Sequence, residues 1–185
     1  MYRGEVLEEN FRPDGKGIKI FNKKSLYEGY FANGMCHGYG RGITAKGEVY
    51  EGEFANDLME GRGYYIWEDG RIYEGEWYSS NKHGKGTYFW PNGQIFKGEF
   101  KNNECNGHGV LYYPDGKRYE GGWKDGKKHG KGTYVYPNGT LYDVVYQDGI
   151  KSSEGKIVAG KQSIEQIKDQ YRSLAKKSMK GKEFM

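Results

Sequence analysis

A chain of 185 residues is long enough for one ordinary domain, but 35% apolar residues, 16% aromatics and 31 glycines argue against an aliphatic core. No run approaches the roughly 20 apolar residues of a membrane span, and the N-terminus lacks the apolar stretch of a signal peptide, so a soluble, cytoplasmic protein is expected. The net charge of +4 is uneven: residues from Lys151 onward carry +5 and residues 1–150 about −1, a poor electrostatic footprint for nucleic acid.

Self-similarity organises the chain from its first residues. Tyr2-Arg3-Gly4-Glu5-Val6 opens a unit that continues at Gly15 and Gly17, two residues out of phase, which implies a short insertion before Gly15. Tyr27-Glu28-Gly29-Tyr30-Phe31 is followed at a constant period of 23 residues by units starting at Tyr50, Tyr73, Phe96 and Tyr119. Two further landmarks keep phase: the pairs Gly38/Gly40, Gly61/Gly63, Gly84/Gly86, Gly107/Gly109 and Gly130/Gly132, and the turn glycines Gly47, Gly70, Gly93, Gly116 and Gly139. A partial unit at Tyr142 puts Val144 where the others have glycine, and the array is expected to end there, near residue 150.

Within a unit, Tyr73-Glu74-Gly75-Glu76-Trp77 alternates aromatic or glycine with charge, the period-two signature of a strand. A turn-rich stretch follows, then Lys85 to Trp90 reads as a second strand and Pro91-Asn92-Gly93 as a tight turn. Each repeat is therefore a β-hairpin, and Gly75 is expected to make room between Tyr73 and Trp77 for a ring from the adjacent hairpin. The fold class is all-β: an elongated, single-layer antiparallel sheet of about six to seven stacked hairpins with an aromatic ladder as its core. Residues 151–185 read as a polar linker and a basic amphipathic helix. Ser163 and Gln166 suit a capping box, and Ile164, Ile167, Tyr171 and Leu174 share a face. That helix would cap the open sheet end, dock on a partner or lie on an acidic membrane.

These residues resemble the membrane occupation and recognition nexus (MORN) repeat, with its Y-E-G-E-W segment, H-G-x-G-x segment and closing turn glycine. Tyr73 to Gly93 and Tyr119 to Gly139 match most fully, and the resemblance covers residues 2 to 150. It implies a twisted antiparallel sheet that scaffolds, dimerises or docks partners in cytoskeletal, ciliary or junctional assemblies, without catalytic activity or cofactor of its own.

Candidate chemistry is sparse. His37, His83 and His129 occupy one repeat position in alternate units, which stacking at two strands per unit puts nearly ~20 Å apart, too far to share a metal. Cys36 and Cys105 are three units apart, about 29 Å, and are expected as free thiols. Gly84-Lys85-Gly86 and Gly130-Lys131-Gly132 lack the Ser or Thr and the helix of a phosphate loop. Glu51/Glu53 and Glu74/Glu76 read as a solvated strand face, and Ser79 and Ser80 near His83 as a turn. No catalytic residue, metal ligand or cofactor is expected.

The expected function is a non-catalytic scaffold for protein partners, in a cytoskeletal or axonemal setting by resemblance, with pairing of two copies at the open sheet edges as a further option. The candidate partner-binding residues are Tyr73, Trp77, Tyr88, Trp90, Tyr119, Trp123 and Tyr134 on the repeats, with Lys168, Tyr171, Arg172 and Leu174 in the tail. The alternatives are a peripheral module gripping anionic lipid through the tail and the lysines Lys127, Lys128 and Lys131, and a regulatory subunit of an enzyme complex.

Overall fold

The computed structural model describes residues 1–7, 11–21, 24–153 and 155–159, and among them every regular element is a β-strand. The helix expected from Ser163, with Lys168, Tyr171, Arg172 and Leu174, lies outside the described residues. The chain divides into two compact units, Met1–Pro91 with Glu99–Glu104, and Asn92–Gly98 with Cys105 onward.

In the first unit β1 (Tyr2–Val6), β2 (Pro13–Ile20), β3 (Leu26–Ala32), β4 (Met35–Ile43), β5 (Val49–Ala55), β6 (Leu58–Ile66), β7 (Ile72–Tyr78) and β8 (Asn81–Phe89) lie in chain order, each antiparallel to the next. The next two strands, β9 (Ile95–Lys101) and β10 (Glu104–Tyr112), have residues in both units. In the second unit β10 pairs with β11 (Arg118–Lys124), then follow β12 (Lys127–Val135) and β13 (Thr140–Gln147). Each unit is an open, single layer of antiparallel hairpins, the all-β architecture that the repeat implies.

The turn-rich stretch inside each repeat is much shorter than the sequence reading allowed. Trp77 and Lys82 are already cross-strand partners, and only Ser79 and Ser80 form the turn, both at positive φ. Asn33-Gly34, Asn56-Asp57, Asn102-Asn103 and Asp125-Gly126 do the same, as a two-residue primed turn demands and as Asn, Asp and Gly tolerate best. The extra residues are absorbed by a bulge: the register of β7 and β8 shifts between Gly75 and Glu76, and Gly84 sits at φ 55°.

The bulge explains the motif residue by residue. Gly75 and Gly86 face each other across the hairpin, and a Cβ on Gly86 would come within 2.4 Å of the Tyr73 ring. The ring that fills the space over the glycine pair is thus Tyr73's own, where a ring from the adjacent hairpin was expected. Its hydroxyl donates to the carbonyls of Glu76 (2.8 Å) and His83 (3.2 Å), two acceptors at the register shift. Tyr27 and Tyr50 repeat this on the carbonyls of Tyr30 and Glu53. The second acid of the motif closes the bulge from the other side, since the Glu76 carboxylate accepts the Lys85 N–H at 3.0 Å and Glu53 accepts that of Arg62. Those acids are structural acceptors and not merely a solvated face.

The fifth motif residue locks neighbouring repeats. In the first unit Phe31 stands edge-on between Tyr2 and Tyr27, Phe54 between Tyr27 and Tyr50, and Trp77 between Tyr50 and Tyr73, with centroids 4.9–5.4 Å apart. In the second unit Trp123 stands between Phe96 and Tyr119. Edge-to-face contact at this distance is the favoured geometry of aromatic pairs, and burying each ring contributes on the order of 2 kcal/mol or more.

Residues expected as linker extend the second unit. β14 (Ile150–Ser153) pairs with the far half of β13, and β15 (Ile157–Ala159) returns to its near half, Tyr142 opposite Ile157. Gly155 makes this return possible, because a Cβ there would lie 1.5 Å from the Asp143 carbonyl oxygen. The outer edge of β13 is covered by two short, offset strands, a form that blunts edge-to-edge pairing.

Candidate functional site

The repeat brings four distant columns together around a fifth. In the repeat of Tyr73, the Lys82 ammonium lies 4.6 Å from the Tyr88 centroid, 5.3 Å from that of Trp67 and 5.9 Å from that of Tyr73. In the repeat of Tyr119 the equivalent Lys128 lies 4.6–5.6 Å from Tyr119, Tyr134, Tyr146 and Tyr113, and donates to the hydroxyls of Tyr134 (2.7 Å) and Tyr113 (2.9 Å). Such an arrangement attracts a cation through the negative faces of the rings. Burial, helped by the Lys117 charge, holds the Lys128 pKa down to about 8. Lys151, in the same column of the partial unit, sits 4.6 Å over Tyr142.

The repeat of Tyr27 has the same cage with different contents. Phe21 stands in the column of Trp67 and Tyr113, and Phe54 in that of Tyr146, but Cys36 replaces the lysine and Gly42 replaces Tyr88 and Tyr134. The result is a groove of about 450 Å³ on the first unit, walled by Phe21, Tyr27, Tyr50, Phe54, Met59 and Tyr65. A Cβ on Gly42 would first meet Phe54, at 3.9 Å, so the missing ring is what opens the groove. Asp57 lines it as well, accepting the Cys36 N–H at 2.7 Å, and burial reinforced by a hydrogen bond to Asp57 pushes the Cys36 thiol up to about 12. A thiol so raised stays protonated and is no nucleophile.

The sequence matches the MORN repeat over residues 27–41, 50–70, 73–95, 96–118 and 119–141, more than half of the chain. The chain belongs to the MORN repeat family. Among curated proteins no sequence matches it. A solved structure of the SAS-4 (dCPAP) TCP domain of Drosophila melanogaster, in complex with a proline rich motif of Ana2 (dSTIL), is similar at 18% identity, covering 85% of this chain and 88% of that one with a TM-score of 0.49.

Most of the aromatic residues expected to grip partners are instead the core of the MORN array. Tyr73 and Tyr119 are 0% exposed, and Trp77, Tyr88 and Trp123 are buried, because a single-layer sheet has little else with which to cover its glycine pairs. Trp90 and Tyr134 are half-buried, Trp90 against Tyr88 and Tyr134 in the Lys128 cage. Lys128, expected as a surface lysine, is that cage's occupant, while Lys127 and Lys131 are exposed. The exposed large rings among the described residues are Phe11, Phe21, Tyr30, Tyr39, Tyr78 and Tyr136.

The histidines sit beside the bulges: the His83 carbonyl accepts from Tyr73, and the His129 ring meets Asp148 at 3.2 Å. Among the described residues no His, Cys, Asp or Glu group is disposed to hold a metal ion. Ser80 uses its hydroxyl to accept the Met59 N–H. Cys36 and Cys105 are free thiols. Sequence reading noted that Cys36 shares a repeat position with Cys105 but missed that Lys82, Lys128 and Lys151 share it too, which was the one available signal for the groove.

Proposed function

We propose that this MORN array is a non-catalytic scaffold that docks protein partners, and that the open cage of the Tyr27 repeat is a contact point. MORN repeats are generally structural or binding modules. The supporting observation is that the motif side chains are consumed inside the ladder while one repeat leaves an aromatic groove of about 450 Å³ open to a ligand. The reading of a lipid-binding module loses support, since Lys128, one of its three repeat lysines, is caged by tyrosines. A cytoskeletal or axonemal setting is the part of the proposal that rests on the family resemblance, and localisation of the tagged chain in ciliated cells tests it.

The docking reading is tested by cross-linking the tagged full-length chain in cells and rebinding each captured protein in purified form. Direct binding that survives high salt is expected. Retention by acidic vesicles alone, abolished by salt, would replace this reading with the membrane one.

A further inference from the structure

We propose that the groove on the first unit receives a lysine side chain of a partner protein, in the place that Lys82 and Lys128 occupy within their own repeats. The inference rests on the docking reading above and names the chemistry that the groove recognises. Three observations carry it.

The first is equivalence of position. Cys36 lies in the column of Lys82, Lys128 and Lys151, each of which has its ammonium within 4.6 Å of at least one ring centroid. The same column holds Met59 and Cys105 in two further repeats, so the ammonium that three cages hold internally is absent from this one because the chain encodes a cysteine there. The second is the wall. Phe21, Tyr27 and Phe54 keep the ring columns of the Lys128 cage, and the gap at Gly42 is an entry route that the Tyr134 ring blocks in that cage.

The third observation is charge. The turn residue whose side chain or backbone stands against this column is Asn103 beside Lys82, where its amide oxygen accepts the Lys82 N–H at 2.9 Å, and Gly149 beside Lys128. Here it is Asp57, in the same contact with the Cys36 N–H. The Lys82 cage thus combines an internal cation with a neutral turn, and the Lys128 cage has Gly149 in the contacting position with the neighbouring Asp148 carboxylate turned to His129. The open cage combines a neutral thiol with a carboxylate in the contacting position itself. A cation entering from outside supplies the charge that this cage lacks and gains a carboxylate partner as well as the rings. Lys19 stands at the rim without filling the groove: its ammonium is 5.0 Å over Phe21 and within 3.5 Å of the Gly34 carbonyl.

The test uses the full chain and, as probe, Nα-acetyl-lysine methylamide, titrated at millimolar concentrations while backbone amide shifts are followed by NMR. The probe is compared with its norleucine analogue, which has the same stem and no charge. Saturable shifts clustered at Cys36, Gly42 and Asp57 are expected for the lysine probe, weaker by about tenfold or more for the norleucine analogue. Asp57→Asn imports the neutral turn of the Lys82 cage and is expected to weaken the lysine probe by a similar factor. Cys36→Lys restores an internal occupant in a cage that already accepts one elsewhere, so it is expected to fold and to abolish the shifts.

Equal shifts from both probes would overturn the proposal in favour of a merely apolar groove. Shifts that appear on concentrating the protein without probe would overturn it in favour of a second copy of the chain. Lack of saturation by the lysine probe would do so outright. If captured partners still bind the Cys36→Lys chain, the groove is not their site although docking stands; if no protein partner binds any form, the docking reading itself fails.

Discussion

The repeats of Tyr73 and Tyr27 lie in one unit, share a backbone and a ladder, and differ in what their cages contain. In the first, Lys82 and Tyr88 close the space over the rings; in the second, Cys36 and Gly42 leave it open. The difference separates two sets of positions in the MORN repeat. The Tyr, Gly, Glu and Trp or Phe of the motif fix the bulge and the ladder and leave little freedom. The positions nine and fifteen residues after the tyrosine touch the outer side of the rings and vary without altering the sheet. Recognition has room to diversify there.

The strongest way to break the comparison acts on every cage together. Burial holds Tyr119 up to about 12, and burial with a hydrogen bond to Glu48 holds Tyr65 there too, while Tyr27 and Tyr50 are raised further. In the unfolded chain these phenols ionise near ~10, so above that pH the unfolded state sheds protons that the folded state keeps. Stability present below pH ~10 is therefore expected to collapse as the pH rises towards 12. Lys128 has the opposite sign between about 8 and its ordinary value, where the unfolded chain holds a proton that the folded one has released. Denaturant midpoints against pH, with tyrosinate absorbance in parallel, should show a shallow rise and then a steep fall.

Next in size is a contrast between two glycines. Gly86→Val forces a side chain into the Tyr73 ring and is expected to cost about 3 kcal/mol or more, whereas Gly42→Ala meets only Phe54 at ordinary contact distance and should stay within about 0.5 kcal/mol. Urea unfolding of the two variants measures this, and equal costs would mean that the cages are not open and closed as described. Tyr73→Phe keeps the ring but leaves the Glu76 and His83 carbonyls without the phenol, for an expected loss of about 1–2 kcal/mol. Smallest is Lys82→Met, which retains the stem over Tyr88 and loses the ammonium; a cost under about 1 kcal/mol in urea unfolding is expected, with no binding of the lysine probe because the stem and the Tyr88 ring still fill the cage.

Much of this was legible in the sequence because the period is exact in five units and strand alternation puts Tyr73, Gly75 and Trp77 on one face. The hairpins, the glycine pairs and the free thiols followed. The turn was misjudged because Gly84 signals a bulge and a loop equally well, and only the pairing of Trp77 with Lys82 decides between them. The burial of Tyr73, Trp77, Tyr88, Tyr119 and Trp123, offered as partner-binding residues, was hidden for a different reason. Alternation identifies the face on which a ring lies, but how far neighbouring rings and lysine stems cover it depends on contacts up to 27 residues away, such as Tyr119 with Tyr146. The open cage is a product of those same contacts, so Cys36 and Gly42 read as unremarkable departures until the columns are seen to converge.

The two-residue turns also govern how the chain reaches this state. In both units the described strand pairs join sequence neighbours or, for β15, the strand next but one, and the pairings described within them link residues no further apart than Thr140 and Ala159. An all-β protein ordinarily folds slowly because distant segments must meet before any contact rewards them. Here each hairpin closes a short loop, and each new rung is added to one already formed, so the search is local at every step. The array should fold with the low contact order of a helical bundle, starting from whichever hairpin forms first.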